Sequence, residues 1–270
     1  MVKVVILGST GMLGNAVTKE FLSDDSYEAF TSYRKENLKW DEKSFYFNAG
    51  ETSFDKIPRC DYLINCIGII KPYMKKDLEK NIYVNSIFPH ALSKYCKDNN
   101  IKMLHITTDC VFSGKDGKYT EENFHDCLDA YGKSKSLGEV DSSMTIRTSI
   151  IGEEIHSNAS LVEWVKSMKG KEINGFTNHL WNGVTTKQYG IICKTIIKND
   201  LYESGLFHVH SDDVTKMELV SIINDVYNLN IKISPMKTNI SCDRRLRTVK
   251  KLNEKLNIPN LEYQIKQMRG

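Results

Sequence analysis

The chain has no C-x-x-C pair, no apolar run near the ~20 residues of a membrane helix, and little net charge of either sign. Each shortage removes a class of protein. Seven cysteines (Cys60, Cys66, Cys96, Cys110, Cys127, Cys193 and Cys242) are odd in number and singly spread. That argues against a disulfide framework and structural zinc, and for a reducing compartment. His156, His208 and His210 have no partners at metal-ligand spacing, so no metal is expected. Lys and Arg total 37 against 34 Asp and Glu, a net charge of +3 that is too mild for a nucleic-acid platform. The run Val4-Val5-Ile6-Leu7 is too short for a signal peptide. The expectation is therefore a cytoplasmic protein that binds neither nucleic acid nor membrane.

What is present is an ordinary globular composition, 40% apolar and 26% charged. A length of 270 residues predicts one large core, or one core with a smaller lobe. In the first half, short β-branched runs alternate with amphipathic stretches, the pattern of strand, crossover helix and parallel strand. Strands are predicted over 3–7, 28–32, 44–47, 62–66, 103–107 and 144–147, and helices over 12–22, 81–99 and 130–140. The fold class is thus α/β, a Rossmann-like doubly wound parallel sheet with a smaller C-terminal lobe. Residues 1–150 form the cofactor-binding part and 151–270 mainly the substrate-binding lobe, with room for the chain to cross back to the sheet. Beyond 150 the pattern predicts helices over 161–168, 186–198 and 214–227, a strand over 206–210, and a closing helix pair over 244–256 and 261–268.

Directly after the first strand stands Gly8-Ser9-Thr10-Gly11-Met12-Leu13-Gly14, the G-x-x-G-x-x-G spacing, opening a helix. Such glycines allow a tight turn, close approach of a pyrophosphate and close packing of helix on strand, and the helix N-terminus favours phosphate. Gly8, Thr10, Gly11, Met12, Leu13 and Gly14 are therefore cofactor candidates. At the end of the second strand, where an acid would meet a free ribose 2′-hydroxyl, the chain reads Thr31-Ser32-Tyr33-Arg34-Lys35. Arg34 and Lys35 suit a 2′-phosphate and favour NADPH, with NADH left open. Cys66, Ile67 and Gly68 follow the fourth strand, where a dinucleotide crosses the sheet edge.

Tyr131 and Lys135 lie four apart on one helix, and an ammonium beside a phenol favours phenolate. Thr107-Thr108-Asp109 ends a strand at the carboxyl edge of the same sheet, where ligands of such sheets bind. Together with Val84-Asn85, the run Thr108 to Gly114, Leu137-Gly138-Glu139 and Ile146-Arg147-Thr148-Ser149, these motifs resemble the extended short-chain dehydrogenase/reductases. Within them, the chain is similar to the dTDP-4-dehydrorhamnose reductase-like sugar-nucleotide reductases.

The resemblance implies Thr108, Tyr131 and Lys135 as catalytic residues and Asn85 as a further cofactor contact. Val111, Phe112, Arg147, Asn178, Trp181 and Arg244 are the implied or candidate substrate contacts. It implies an NADPH-dependent oxidoreductase reducing the 4-keto group of a nucleotide-linked 4-keto-6-deoxy sugar, in a homodimer serving polysaccharide biosynthesis. Where dehydratases of the superfamily carry Glu, this chain carries Cys110. GDP-fucose synthases resemble the same strand end with a Cys and a later His, so Cys110 and His179 are candidates for an added epimerase step. The β subunit of methionine adenosyltransferase resembles the family too, leaving a non-catalytic regulatory subunit as the other alternative.

Overall fold

The computed structural model describes residues 1–74, 76–154 and 160–270, so His156 lies outside the described residues. The chain opens with β1 (Val2–Leu7), whose last four residues are fully buried. It continues through α1 (Met12–Leu22), β2 (Tyr27–Tyr33), β3 (Phe45–Tyr46), β4 (Tyr62–Asn65), α2 (Leu78–Ile82), a π-helical turn at Tyr83–Ile87 and α3 (Phe88–Asp98). Next come β5 (Lys102–Thr108), α4 (Ala130–Leu137), β6 (Met144–Thr148), β7 (Ile150–Ile151), α5 (Leu161–Ser167), β8 (Glu172–Phe176), β9 (His179–Trp181) and β10 (Val184–Thr185). The last elements are α6 (Thr186–Lys198), β11 (Gly205–His208), β12 (Val214–Thr215), α7 (Lys216–Tyr227), β13 (Lys232–Met236), β14 (Cys242–Asp243), α8 (Leu252–Lys255) and α9 (Leu261–Arg269).

Seven strands form one parallel sheet in the order β11-β6-β5-β4-β1-β2-β3, the doubly wound Rossmann-like arrangement. Strands β4 and β5 are apolar on both sides because helices cover both faces of the sheet. On one face Val4, Ile6, Ile64 and Leu104 meet Val17 and Phe21 of α1 and Ile192 and Ile196 of α6. On the other, Val5, Leu7, Leu63 and Met103 meet Phe88, Leu92 and Cys96 of α3. The chain beyond residue 150 returns to this sheet, since α6 packs on α1 and β11 pairs with β6.

A separate core forms the lobe, where Val162, Val165, Trp181, Leu219, Ile223, Leu261 and Ile265 pack together. Two short sheets frame it, β12-β9-β14 and β13-β8.

Several boundaries differ from expectation, among them that of α4, which ends at Leu137 and not at residue 140. The helix expected over 81–99 begins at Leu78, capped by Asp77, and contains the π turn. The helix expected from Val214 begins at Lys216, because Thr215 and Glu218 form a reciprocal capping box. The expected basic helix over 244–256 is helical only at Leu252–Lys255. Ahead of it the backbone is extended: Tyr119 donates its N–H to Arg245 O and accepts from the N–H of Arg247, while Arg245 and Arg247 are ion-paired to Asp213. Tertiary partners thus override the helical spacing of the charges.

Candidate active site

The order of the sheet reverses on either side of β1, and a cleft of about 1000 Å³ opens at the carboxyl ends of the strands there. Thr10, Gly11, Met12, Leu13, Arg34, Lys35, Cys66, Ile67, Gly68, Thr108, Cys110, Tyr131 and Lys135 all line it. Gly8 and Gly14 shape its floor. Gly8 has φ +80°, and a Cβ on Gly14 would come 2.1 Å from Gly8 O, so helix and turn meet only without a side chain. At Gly11 a Cβ would meet nothing closer than 3.4 Å, and α1 starts there with no side-chain cap. The first amides of the helix are thereby left to an anion. Ser32 is occupied structurally, accepting the Gly8 N–H at 2.8 Å. Arg34 and Lys35 are exposed at the rim and, among the described residues, have no carboxylate within ion-pair distance. This cradle fits a dinucleotide with an additional phosphate.

At the other end of the cleft Tyr131 and Lys135 project from α4, whose N-terminus Asp129 caps by accepting the Gly132 N–H. Thr108 ends β5, where its hydroxyl accepts the Cys110 N–H at 3.1 Å and donates to the Asp109 carboxylate at 3.2 Å. The Tyr131 phenol lines the same cleft as Thr108. Burial, with the Cys110 and Asp109 side chains beside it, holds that phenol above its ordinary range. Here the expectation of a phenolate-favouring lysine is corrected. Lys135 Nζ donates to Ile106 O at 3.0 Å, and burial draws its own ammonium down to about 8. A phenol kept protonated is what an acid requires.

Burial pushes the Cys110 thiol up to about 12, so it is neutral near pH 7. Its sulfur accepts from Arg244 Nη1 at 3.6 Å. Arg244, a substrate candidate, is thereby brought to the catalytic loop, held also by Phe112 O at 3.0 Å through Nε. His179 is engaged elsewhere, with Nε2 2.9 Å from Thr238 Oγ1 and its ring against Phe176.

Other candidates serve the scaffold. Asn85 is buried behind the cleft, exchanging hydrogen bonds with the Ile69 backbone and donating to Ser134 Oγ at 3.1 Å. It therefore positions the loop after β4 and does not line the cleft. Val111 and Phe112 are fully buried with Tyr119 and Leu246. Trp181 belongs to the lobe core, and Asn178 is hydrogen-bonded to Thr238. Arg147 is fully buried and chelates Glu139, so it is not available to a substrate.

The sequence reading missed Tyr46, Asn48, Tyr73, Thr148, Ser149 and Glu154, which also line the cleft. Thr148 and Ser149 could have been found, because each follows the rule that strand carboxyl ends line such a cleft. The seven cysteines are free thiols, and no cluster among the described residues could hold a metal. Nor is any described helix long and apolar enough to cross a membrane.

Known proteins resemble this arrangement along most of the chain. Methionine adenosyltransferase 2 subunit beta from Danio rerio is 24% identical over 257 residues, spanning 84% of this chain and 74% of that protein. Spore coat polysaccharide biosynthesis protein SpsK from Bacillus subtilis is 25% identical over 224 residues, 79% of this chain and 75% of that one. The crystal structure of dTDP-4-dehydrorhamnose reductase from Bacillus anthracis, in complex with NADP, superposes with a TM-score of 0.76 at 19% identity, covering 100% of this chain and 99% of that one. A family model described as the RmlD substrate binding domain matches residues 2–249, and the chain belongs to that family.

Proposed function

We propose that this member of the RmlD substrate binding domain family is an NADPH-dependent reductase of the 4-keto group of a nucleotide-linked 4-keto-6-deoxy sugar. The observation that carries the reading is one cleft with a glycine cradle and two free cations at one end and Thr108, Tyr131 and Lys135 at the other. The amides from Gly11 onward would hold the cofactor's diphosphate, Arg34 and Lys35 its 2′-phosphate, and Lys135 beside Gly68 its nicotinamide ribose. When bound, NADPH supplies a hydride to the substrate carbonyl carbon. The Tyr131 hydroxyl gives its proton to the carbonyl oxygen, and the Thr108 hydroxyl, turning its proton from Asp109, donates to that oxygen.

Reduction without epimerisation is favoured because the Cys110 thiol is neutral and faces Arg244, while His179 is engaged by Thr238. A second reading, a regulatory subunit that binds NADP without turnover, is supported by the matches to methionine adenosyltransferase 2 subunit beta. The proposed setting is a cytoplasmic homodimer; the exposed Leu78, Ile82, Ile87 and Leu137 offer a second copy an apolar face.

The test is NADPH oxidation with a panel of dTDP-, UDP-, GDP- and CDP-linked 4-keto sugars, with product configuration read by NMR. Tyr131→Phe should lower the rate about 10²–10⁴-fold and leave NADP⁺ affinity nearly unchanged. Full activity in that variant would sink the assignment of the acid. No oxidation with any substrate, alongside tight binding to another protein, would favour the regulatory reading.

A further inference from the structure

At its reacting end the cleft has two walls, and they are joined in two different ways. One wall is the segment that follows β4, where Cys66 to Ile70 and then Tyr73 line the cleft. The other is α4, which presents Tyr131 and Lys135. On the buried side Asn85 bridges them, accepting the Ile69 N–H at 2.8 Å and donating to Ile69 O at 2.9 Å and to Ser134 Oγ on α4 at 3.1 Å. On the solvent side they meet in an ion pair, Lys71 Nζ to Asp129 Oδ2 at 2.9 Å.

The first wall is tied down on both sides of that lysine. Ile69 is held by Asn85, and the buried Asn81 donates to Tyr73 O at 2.9 Å and Met74 O at 3.1 Å. Between these anchors lie Ile70, Lys71 and Pro72, whose carbonyl bonds are local: Ile70 O accepts the Tyr73 N–H and Lys71 O the Met74 N–H. Among the described residues, the side-chain bond that carries this turn to the opposite wall is the Lys71 pair. Asp129 divides its oxygens, Oδ1 accepting the Gly132 N–H at 2.9 Å to cap α4 and Oδ2 taking Lys71. It stands two residues before Tyr131. With side chains 61% and 37% exposed, Lys71 and Asp129 form a pair that adds little to folding stability and is screened by salt. Such a contact can still bias a local opening.

We propose that Lys71 and Asp129 are positioning residues whose ion pair latches the turn at Ile70, Lys71 and Pro72 to the catalytic helix and slows the escape of bound cofactor. The proposal rests on the reading that NADPH occupies the cleft. With the pair closed, Ile70 is held at the cleft opposite the wall that bears Tyr131. With it broken, Ile69 and Tyr73 stay anchored and only the turn between them swings out, so the opening is local and leaves the fold intact. The asparagine bridge sets where the walls stand, and the latch sets how long they stay together.

Stopped-flow displacement of NADPH by excess NADP⁺, followed by NADPH fluorescence, reads the latch on the full chain and needs no sugar substrate. Lys71→Met and Asp129→Asn should each speed NADPH dissociation about two- to fivefold, the range of one exposed ion pair. Asparagine still caps a helix, so the second variant removes the charge and keeps α4. Loss of a positive and of a negative charge should thus act in the same direction, which a long-range pull on the cofactor's phosphates would not produce. The double variant should be no faster than either single one, and Lys71→Arg should stay near the wild-type rate. At about 0.5 M sodium chloride the ratio of variant to wild-type rates should fall toward one, a comparison that cancels the effect of salt on the phosphate contacts shared by both. Wild-type rates in both variants, or opposite effects of the two, overturn the latch and leave the cofactor reading standing. A wild-type chain that binds no NADPH overturns both.

Discussion

The polar core behind β6 and the basic face of the β12-β9-β14 sheet each hold an arginine, and the two arginines live under opposite conditions. Arg147 is fully buried, with Nε donating to Glu139 Oε1 at 2.9 Å, Nη1 to His208 Nε2 at 2.6 Å, and Nη2 to both Glu139 Oε2 and His125 Nε2 at 2.5 Å. Its guanidinium also lies 5.0 Å from the Phe112 ring centroid. Arg244 is half-buried and donates only to carbonyls and a thiol. A charge whose every donor is met by the fold is architecture; a charge held in place but left without a counter-ion is available to a ligand. In the sequence the two differ, Arg147 standing as a lone base after Ile146 and Arg244 opening the basic run Arg244-Arg245-Leu246-Arg247, yet both were candidate substrate contacts.

The contrast is broken most directly by truncation. Arg147→Ala leaves Glu139 as an uncompensated, nearly buried carboxylate and removes the donors to two imidazoles. Unfolding in urea should show a loss of about 3–5 kcal/mol, as expected when one partner of a buried pair is removed. Arg244→Ala should cost about 1 kcal/mol or less in the same titration, because the carbonyls it leaves can be reached by water. Comparable losses in the two variants would erase the distinction between the buried and the half-buried arginine.

A pH titration sharpens the same contrast with a smaller effect. Because Arg147 is a permanent donor, His208 Nε2 must accept, which puts the proton on Nδ1, facing Arg247 O at 2.7 Å. Burial and then the Arg147 charge lower the His208 pKa from 6.5 to about 4. A histidine whose folded pKa lies below its unfolded value contributes stability fully above the unfolded value, and the contribution is lost as pH falls toward the folded one. Stability should therefore decline between pH 6.5 and 4, with a slope approaching about 1.4 kcal/mol per pH unit from this one imidazole. A His208→Gln variant should flatten that slope, and an unaltered slope would show that other groups govern the acid limb.

How far each region could be read from sequence follows from the range of the interactions that build it. The glycine loop, the i, i+4 pair Tyr131 and Lys135, and the strand end at Thr108 are local patterns, and the structure gathers them in one cleft. Arg147 was misread as a substrate contact because its partners His125, Glu139 and His208 come from a loop, a helix end and β11, a separation no periodicity encodes. The expected helix over 244–256 failed because its charges answer to Asp213 and Asp243 and its backbone to Tyr119. By contrast, the spacing Thr215-x-x-Glu218 was a legible cap that would have placed Lys216 at the start of α7.

The smallest effect tests whether Cys110 belongs to the chemistry or only to the scaffold around Arg244. The thiol is neutral near pH 7 and accepts from Arg244, so it lacks the negative charge needed to remove a proton from carbon. A serine retains an acceptor of similar size at the same place. Cys110→Ser should therefore slow reduction by less than about tenfold, the scale of a single altered hydrogen bond. Run in deuterated solvent, neither wild type nor variant should place deuterium at sugar C3 or C5. Deuterium present there in the wild-type product and absent with Cys110→Ser would make the thiol a proton carrier.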